Sequence, residues 1–134
     1  MEALLKPIFL HVLMCTALYG FLTVARAPSI WGIGKKSDGS DPFEEIQPGI
    51  SANLSNQFEW PVFFYIVCLI LMFNGNPISS IQVALAWVFV VGRLIHSGVQ
   101  IFTTNVRLRG IAFLINFAAV LTMWGILFIE TPGT

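Results

Sequence analysis

The stretch NQFEWPVFFYIVCLILMF, Asn56 to Phe73, decides the fold. From Val62 onward it is almost entirely apolar, but it begins with the polar residues Asn56, Gln57 and Glu59. A charged carboxylate in an apolar environment is costly unless it has partners. The role of Glu59 therefore depends on whether this helix lies in water or in a membrane. The composition of the whole chain indicates which.

Hydrophobic residues make up 56% of the 134 residues and charged residues only 10%, and the mean hydropathy is +0.79. Soluble domains carry about 25% charged residues, so this composition is typical of a membrane protein. One bilayer crossing needs ~20 mostly apolar residues. Four such runs predict helices at 4–25, 55–73, 78–102 and 108–129, with a polar loop at 27–53. The predicted fold is an all-α, four-helix transmembrane bundle in one domain, residues 1–134.

The basic residues indicate how the bundle is oriented. Five of the seven lie in or beside the first loop or the connection after the third helix: Arg26, Lys35, Lys36, Arg107 and Arg109. Cytoplasmic loops are enriched in basic residues, so we expect both loops to be cytoplasmic and both termini to lie on the other side. The first apolar run is longer than the 7–15 residues of a signal peptide, so we expect it to be a membrane helix.

The sequence disfavours several other kinds of site. The net charge is zero and there is no basic tract, which argues against nucleic-acid binding. The segment GIGKK, residues 32–36, lacks the glycine spacing of a phosphate-binding loop. Cys15 and Cys68 lie far apart in predicted spans, without CxxC or histidine-rich neighbours. They predict buried packing and neither a disulfide framework nor a metal site.

Polar side chains form a stripe at the start of the second predicted helix. At 100° per residue, four positions fall within an arc of ~120°: Asn53, Asn56, Glu59 and Phe63. An ionisable residue inside a membrane usually faces the bundle interior and is a candidate functional residue. We therefore expect Asn56 and Glu59 to turn away from lipid.

The third predicted helix carries a matching stripe. If that helix continues far enough, six residues share an arc of ~100°: Arg93, His96, Gln100, Thr103, Thr104 and Arg107. At ~1.5 Å per residue, Glu59 lies ~10 Å, His96 ~12 Å and Arg93 ~16 Å from the cytoplasmic helix ends. The two stripes are therefore expected to meet in the cytoplasmic half of the membrane.

Two interpretations of that meeting are open. A buried ion pair between Glu59 and Arg93 would fix the helix register, with Asn56 and Gln100 as interhelical hydrogen bonds. Alternatively, the stripes line a polar cavity open to the cytoplasm. The surplus of hydrogen-bonding groups favours the cavity, and a guanidinium fork there would suit a ligand that bears carboxylates.

The residues of both stripes resemble a known family. Asn56-x-x-Glu59 followed by Trp60-Pro61, and Arg93-x-x-His96-x-x-x-Gln100 leading to Arg107, are similar to motifs of the MAPEG proteins, the membrane-associated proteins in eicosanoid and glutathione metabolism. Four helices, a long first loop and both termini away from the cytoplasm fit the same family. The resemblance spans nearly the whole chain and implies a bacterial-type member in the bacterial inner membrane.

The resemblance implies a homotrimer in contact with membrane lipid, with glutathione bound between neighbouring subunits. Asn56 and Glu59 would bind the peptide, Glu59 through its amino group, and Arg26 would hold a carboxylate. Arg93 and His96 would line the floor of the site. Gln100 would stand near the sulfur, where many members have a tyrosine. Arg107 would stabilise the glutathione thiolate, because an adjacent guanidinium lowers the pKa of a thiol.

Two functions therefore follow from the resemblance. The first is a membrane glutathione transferase or peroxidase that acts on hydrophobic small-molecule electrophiles from the bilayer. The alternative is a non-catalytic lipid-binding or accessory membrane protein. Ala52, which stands where glutathione-using members have an arginine, and Gln100 favour the alternative. Elsewhere we expect His11 to be a hydrogen-bonded interior histidine and Asn116 to form a hydrogen bond across the trimer.

Overall fold

The computed structural model describes residues 2–131, and within this range all regular structure is α-helical. Five helical segments follow one another: α1 (Glu2–Trp31), α2 (Gln47–Asn56), α3 (Pro61–Phe73), α4 (Ser80–Phe102) and α5 (Val106–Glu130). Together α2 and α3 make one span, Gln47–Phe73, so four helices are long and apolar enough to cross a membrane. The predicted four-helix transmembrane bundle is confirmed, and its predicted domain limits extend to residue 1 and residues 132–134, outside the described residues.

The helices around the first loop are longer than the sequence predicted. α1 continues six residues beyond 25 and ends just before Gly32 and Gly34, whose positive φ angles of 70° and 81° favour glycine. α2 begins at Gln47 because Pro48, in its first turn, has a fixed φ that suits a helix start. The expected loop 27–53 is therefore confined to residues 32–46.

A break between α2 and α3 divides the second span. Proline has no N–H, and its ring clashes with the carbonyl one turn earlier, so the predicted continuous helix 55–73 is interrupted before Pro61. Around the break, hydrogen bonds tighten to three-residue spacing: Gln57 N–H donates to the Leu54 carbonyl, and Val62 N–H to that of Glu59. The break changes which residues of the polar stripe face the interior.

Two apolar clusters fill the bundle, with a polar layer between them. The first cluster lies toward the end that carries the termini and includes Leu4, Phe64, Phe89 and Val120. The second lies toward loop 32–46 and includes Met14, Leu18, Ile50, Leu54 and Ile101. The polar layer consists of three buried side chains that lie between the two clusters: His11 on α1, Gln57 after α2 and Arg93 on α4.

The loop 32–46 contains a hydrogen-bonded turn and an aromatic anchor. Asp38 Oδ1 accepts hydrogen bonds from Ser40 Oγ at 2.6 Å and Ser40 N at 2.9 Å, and these bonds lower the pKa of the Asp38 carboxyl. Phe43 packs edge-on against Phe21 of α1, with 6.4 Å between ring centroids. The loop is thus anchored on α1, beside the start of α2.

Close packing at two glycines positions α4. A Cβ at Gly49 would lie 3.2 Å from the Gln100 carbonyl oxygen, so α2 approaches the backbone of α4 closely. A Cβ at Gly92 would lie only 2.1 Å from Asn116 Oδ1 of α5. Asn116 is fully buried within the subunit. The expectation that Asn116 bonds across a trimer is therefore wrong, because its amide packs against the glycine of its own chain.

Candidate functional site

Gln57 lies at the centre of the buried polar layer. Its Oε1 is 3.1 Å from Arg93 Nε and 3.0 Å from His11 Nε2. Arginine has only donors, so the Gln57 carbonyl oxygen must face Arg93, and this fixes the orientation of the amide. His11 Nε2 consequently donates to the same oxygen, which leaves His11 Nδ1 to accept from the Tyr65 hydroxyl.

The amide nitrogen of Gln57 continues the network toward the loops. Gln57 Nε2 donates to the Asn53 carbonyl at 3.2 Å and to Asn53 Oδ1 at 3.1 Å. Asn53 Nδ2 then donates to Gln100 Oε1 at 2.8 Å, and Asn56 Nδ2 donates to the same oxygen at 3.1 Å. With its carbonyl occupied twice, Gln100 has its amide nitrogen left for other partners.

A cavity of about 390 Å³ opens beside this network, between α2, α4 and α5. Its lining comprises Asn56, His96, Gln100, Val106, Arg109, Gly110 and Phe113. A second cavity of about 560 Å³ adjoins it toward the loops and shares Gln100. Measured from the end of α4 at Phe102, Gln100 lies ~3 Å and His96 ~9 Å into the bundle. The cavity therefore reaches from the helix ends toward the polar layer.

Two buried nitrogens on α4 have no hydrogen-bond partner among residues 2–131: Arg93 Nη2 and His96 Nδ1. The side chains are 1% and 3% exposed, and they stand one turn apart on α4. A buried polar atom without a partner costs about 1–3 kcal/mol, and such groups in native proteins usually have a specific role. A ligand that offers an oxygen or sulfur acceptor could satisfy Arg93.

The opposite wall of the cavity is aromatic. His96 faces Phe113 with 6.4 Å between ring centroids, and Phe113 lies 6.0 Å from Phe117. Phe117 in turn stacks on Trp60 at 4.4 Å. The site therefore combines amides from α2 and α4 with an arginine and an aromatic ring from α5, an arrangement suited to an amphiphilic ligand or to a polar and an apolar ligand together.

The structure brings together four of the predicted site residues. Asn56, His96 and Gln100 line one cavity, and Arg93 lies one turn deeper on α4. Arg26 is exposed at the loop end of α1, where Nη2 donates to Ser51 Oγ at 3.3 Å. It lies outside this group.

Glu59 does not face the interior of the subunit. It is exposed in the break before Pro61, and Gln57 occupies the buried position beside Arg93. The ion pair between Glu59 and Arg93, the less favoured of the two interpretations, is not formed within the subunit, and Arg93 Nε donates instead to the neutral amide of Gln57. The physical reason is the proline, which ends the helical phase from which the orientation of Glu59 was predicted.

The predicted stripe on α4 is also shorter than expected. α4 ends at Phe102, and Thr103 has extended backbone angles, so Thr103, Thr104 and Arg107 do not continue its face. Arg107 lies in the exposed first turn of α5. Arg109, used in the sequence analysis only to orient the bundle, lines the cavity.

Sequence reasoning missed the central role of Gln57. A signal for it was present, because Ile50, Asn53, Leu54 and Gln57 are spaced as one buried helical face. His11 is fully buried and hydrogen-bonded, which agrees with the interior histidine expected from the sequence. Its partner Tyr65 gave no periodic signal, since it is half-buried in an otherwise apolar segment.

These features define a class: an integral membrane protein with four spans and, at one end of its bundle, a cavity lined by polar and aromatic side chains. The chain belongs to the MAPEG family, whose sequence profile matches residues 4–129. The family predicted from the two polar stripes is thereby confirmed. Members generally use glutathione as a substrate or cofactor, and the family is associated with glutathione and eicosanoid metabolism. No match was found among curated proteins or among solved structures.

Proposed function

We propose that this protein is a membrane glutathione transferase or peroxidase that acts on hydrophobic electrophiles. The observation that carries the proposal is a cavity lined by the amides of Asn56 and Gln100 on one side and by Arg109 and Phe113 of α5 on the other, with Arg93 one turn deeper. Glutathione carries two carboxylates and a thiol, which need donors. An apolar co-substrate that arrives from the lipid needs an aromatic surface.

The polar wall would hold the peptide. Arg93 Nη2 and the amide nitrogen of Gln100 are donors suited to a carboxylate or thiolate. Glu59 is exposed on a single chain, so we propose that it binds the glutathione amino group where subunits of a homotrimer meet. Arg26, also exposed, would contribute to a carboxylate contact at the same interface.

The reaction requires an ionised thiol, and we assign its stabilisation to Arg107. A nearby guanidinium lowers the pKa of a thiol and increases the fraction of thiolate at neutral pH. In conjugation, the thiolate sulfur forms a bond to the electrophilic carbon while the leaving group departs with its electron pair. In the peroxidase reaction, two glutathione thiols are oxidised to a disulfide and the hydroperoxide is reduced to an alcohol and water. Arg107 is exposed at the start of α5, where it would serve an intersubunit site.

Binding is tested by thermal unfolding of the detergent-solubilised protein with increasing glutathione. A ligand specific for the native state stabilises it by about 2.7 kcal/mol at 100 times Kd, so the melting temperature should rise. Ultraviolet absorbance of the bound thiolate and conjugation of a chlorinated nitrobenzene then report the chemistry. No thiolate signal at saturating glutathione would reject the transferase proposal.

Variants of Arg107 separate chemistry from anchoring. Arg107→Lys and Arg107→Ala should keep most glutathione affinity but lose the thiolate signal and the conjugation, because a lysine cannot reproduce the planar guanidinium fork. Lys36→Ala is a suitable control, since it removes an exposed cation from the 32–46 loop without touching the cavity. Equal activity of Arg107→Lys and the wild type would assign Arg107 to a lipid-anchoring role.

The second candidate is a non-catalytic binding or accessory protein. It is favoured by Gln100, whose carboxamide stands in the cavity wall where many family members have a tyrosine, and by Ala52, which offers no polar group. This candidate predicts stabilisation of the protein by an anionic lipid and none by glutathione. The same thermal titration, with lipid and with glutathione in parallel, distinguishes the two functions.

A further inference from the structure

Gln57 joins three parts of the bundle through one side chain. Its carbonyl oxygen binds α4 through Arg93 and α1 through His11, and its amide nitrogen binds Asn53 of α2. The side chain is 1% exposed, and it is not among the residues that line the cavity. Any influence of Gln57 on a ligand must therefore act through its neighbours.

The hydrogen bonds of Gln57 have a defined direction. Its single carbonyl oxygen is occupied by Arg93 Nε and His11 Nε2, which leaves Arg93 Nη2 without a partner among the described residues. Its amide nitrogen donates a hydrogen bond to Asn53 Oδ1. The Asn53 side chain is therefore oriented with its amide nitrogen toward Gln100 Oε1, to which it donates. Gln100 is thereby held with its carbonyl toward α2, and its amide nitrogen has no partner among residues 2–131.

The consequence is that two N–H donors beside the cavity are not used by the network. Among residues 2–131, Arg93 Nη2 has no hydrogen-bond partner, and the bonds of Gln100 use only its carbonyl oxygen. Reversing the Gln57 amide would place its NH₂ against the Arg93 Nε–H, two donors facing each other. One side chain thus sets the hydrogen bonding of Arg93 directly and that of Gln100 through Asn53.

We propose that Gln57 is the positioning residue of this site: it holds Arg93 just behind the cavity and, through Asn53, orients Gln100 in its wall, so that their free N–H groups can serve an anionic ligand head group. The identity of the ligand as glutathione rests on the proposed function above. The positioning itself is a property of the ligand-free protein and can be measured without any ligand.

The test uses Gln57→Leu, a change of similar volume that removes both halves of the amide. In wild-type ¹⁵N-labelled protein, the buried Arg93 Nε–H should give a dispersed, slowly exchanging signal, assigned by its loss in Arg93→Lys. Gln57→Leu should lose that signal and weaken glutathione binding about ten-fold to one-hundred-fold, as expected for a lost hydrogen bond to a charged group.

Gln82→Leu is the matched control. Gln82 is also a fully buried glutamine, and its Nε2 donates to the Met123 carbonyl at 3.1 Å, near the start of α4 and away from the cavity. The Gln82→Leu variant should have a lower free energy of unfolding than the wild type, but it should keep the Arg93 signal and the glutathione affinity. If Gln57→Leu behaves like Gln82→Leu in both readouts, Gln57 is only a packing residue and the proposal is wrong.

If the leucine variant does not fold, Gln57→Glu keeps the proposal testable. The carboxylate retains an acceptor for Arg93, so the Arg93 signal should persist. The donor to Asn53 is lost and a negative charge is added, so glutathione affinity should fall. Unchanged affinity in this variant would overturn the proposal. If the wild type binds no glutathione, the proposed function fails, while the Arg93 signal in Gln57→Leu still decides the positioning role.

Discussion

Gly92→Ala tests the packing that sets α4 against α5, and with it the shape of the cavity. The added Cβ would lie 2.1 Å from Asn116 Oδ1 and 3.2 Å from its Cγ. The first distance is about 1.3 Å short of the 3.4 Å at which ordinary contact begins. Asn116 is fully buried, so either its side chain or the whole of α5 must move.

The expected magnitude combines two opposing effects. Overpacking of a buried site typically costs about 1–3 kcal/mol, whereas alanine in place of glycine stabilises a helix by about 1 kcal/mol. We therefore expect Gly92→Ala to lower the free energy of unfolding by up to about 2 kcal/mol. Movement of α5 would also shift Phe113 and Arg109 relative to His96, so ligand affinity should fall as well.

Reversible unfolding in mixed micelles measures this change. Gly98→Ala is the control on the same helix, because a Cβ there meets no atom within 4 Å, and it should be neutral or stabilising by up to about 1 kcal/mol. The double variant Gly92→Ala with Asn116→Ala should recover stability relative to the sum of the single changes. Equal stabilities of the Gly92 and Gly98 variants would refute the close packing of Asn116 on Gly92.

Three further predictions concern the interface and the orientation. Glu59→Gln should change the free energy of unfolding by no more than about 0.5 kcal/mol, because Glu59 is exposed, but it should weaken glutathione binding. A large loss of stability would instead support a buried ion pair between Glu59 and Arg93. Mass measurement in mild detergent should return a trimer, and a monomer that still binds glutathione would exclude an intersubunit site. A cysteine at Ser37 should be labelled only from the cytoplasmic side and one at Asn74 only from the other side; the reverse pattern would overturn the predicted orientation.

The four spans could be predicted from the sequence because the signal is strong and local. Each is an apolar run long enough to cross the bilayer, and hydropathy requires no knowledge of neighbouring helices. The meeting of Asn56 with Gln100 was also predictable, since both lie at matching depths on polar stripes. Their amides are 3.1 Å apart, close enough for the interhelical hydrogen bond considered from the sequence.

The orientation of single residues could not be predicted past points where the helical phase is lost. Pro61 interrupts the second span, which exposes Glu59 and buries Gln57 two residues earlier. Residues 103–105 separate α4 from α5, so Arg109 rather than Arg107 lines the cavity. A period of 3.6 residues predicts a face only within one uninterrupted helix. Both errors follow directly from extending it across a break.

The bond between Arg93 and a neutral amide has a practical consequence for anyone who purifies this protein. Gln57 satisfies one N–H of the guanidinium but cannot neutralise its charge, and a cation in a poorly polarisable interior strongly attracts anions. We therefore expect chloride or phosphate from the buffer to compete with an acidic ligand for the region around Arg93. Apparent Kd values should rise with the concentration of such anions, and values from different buffers can be compared only when that concentration is matched.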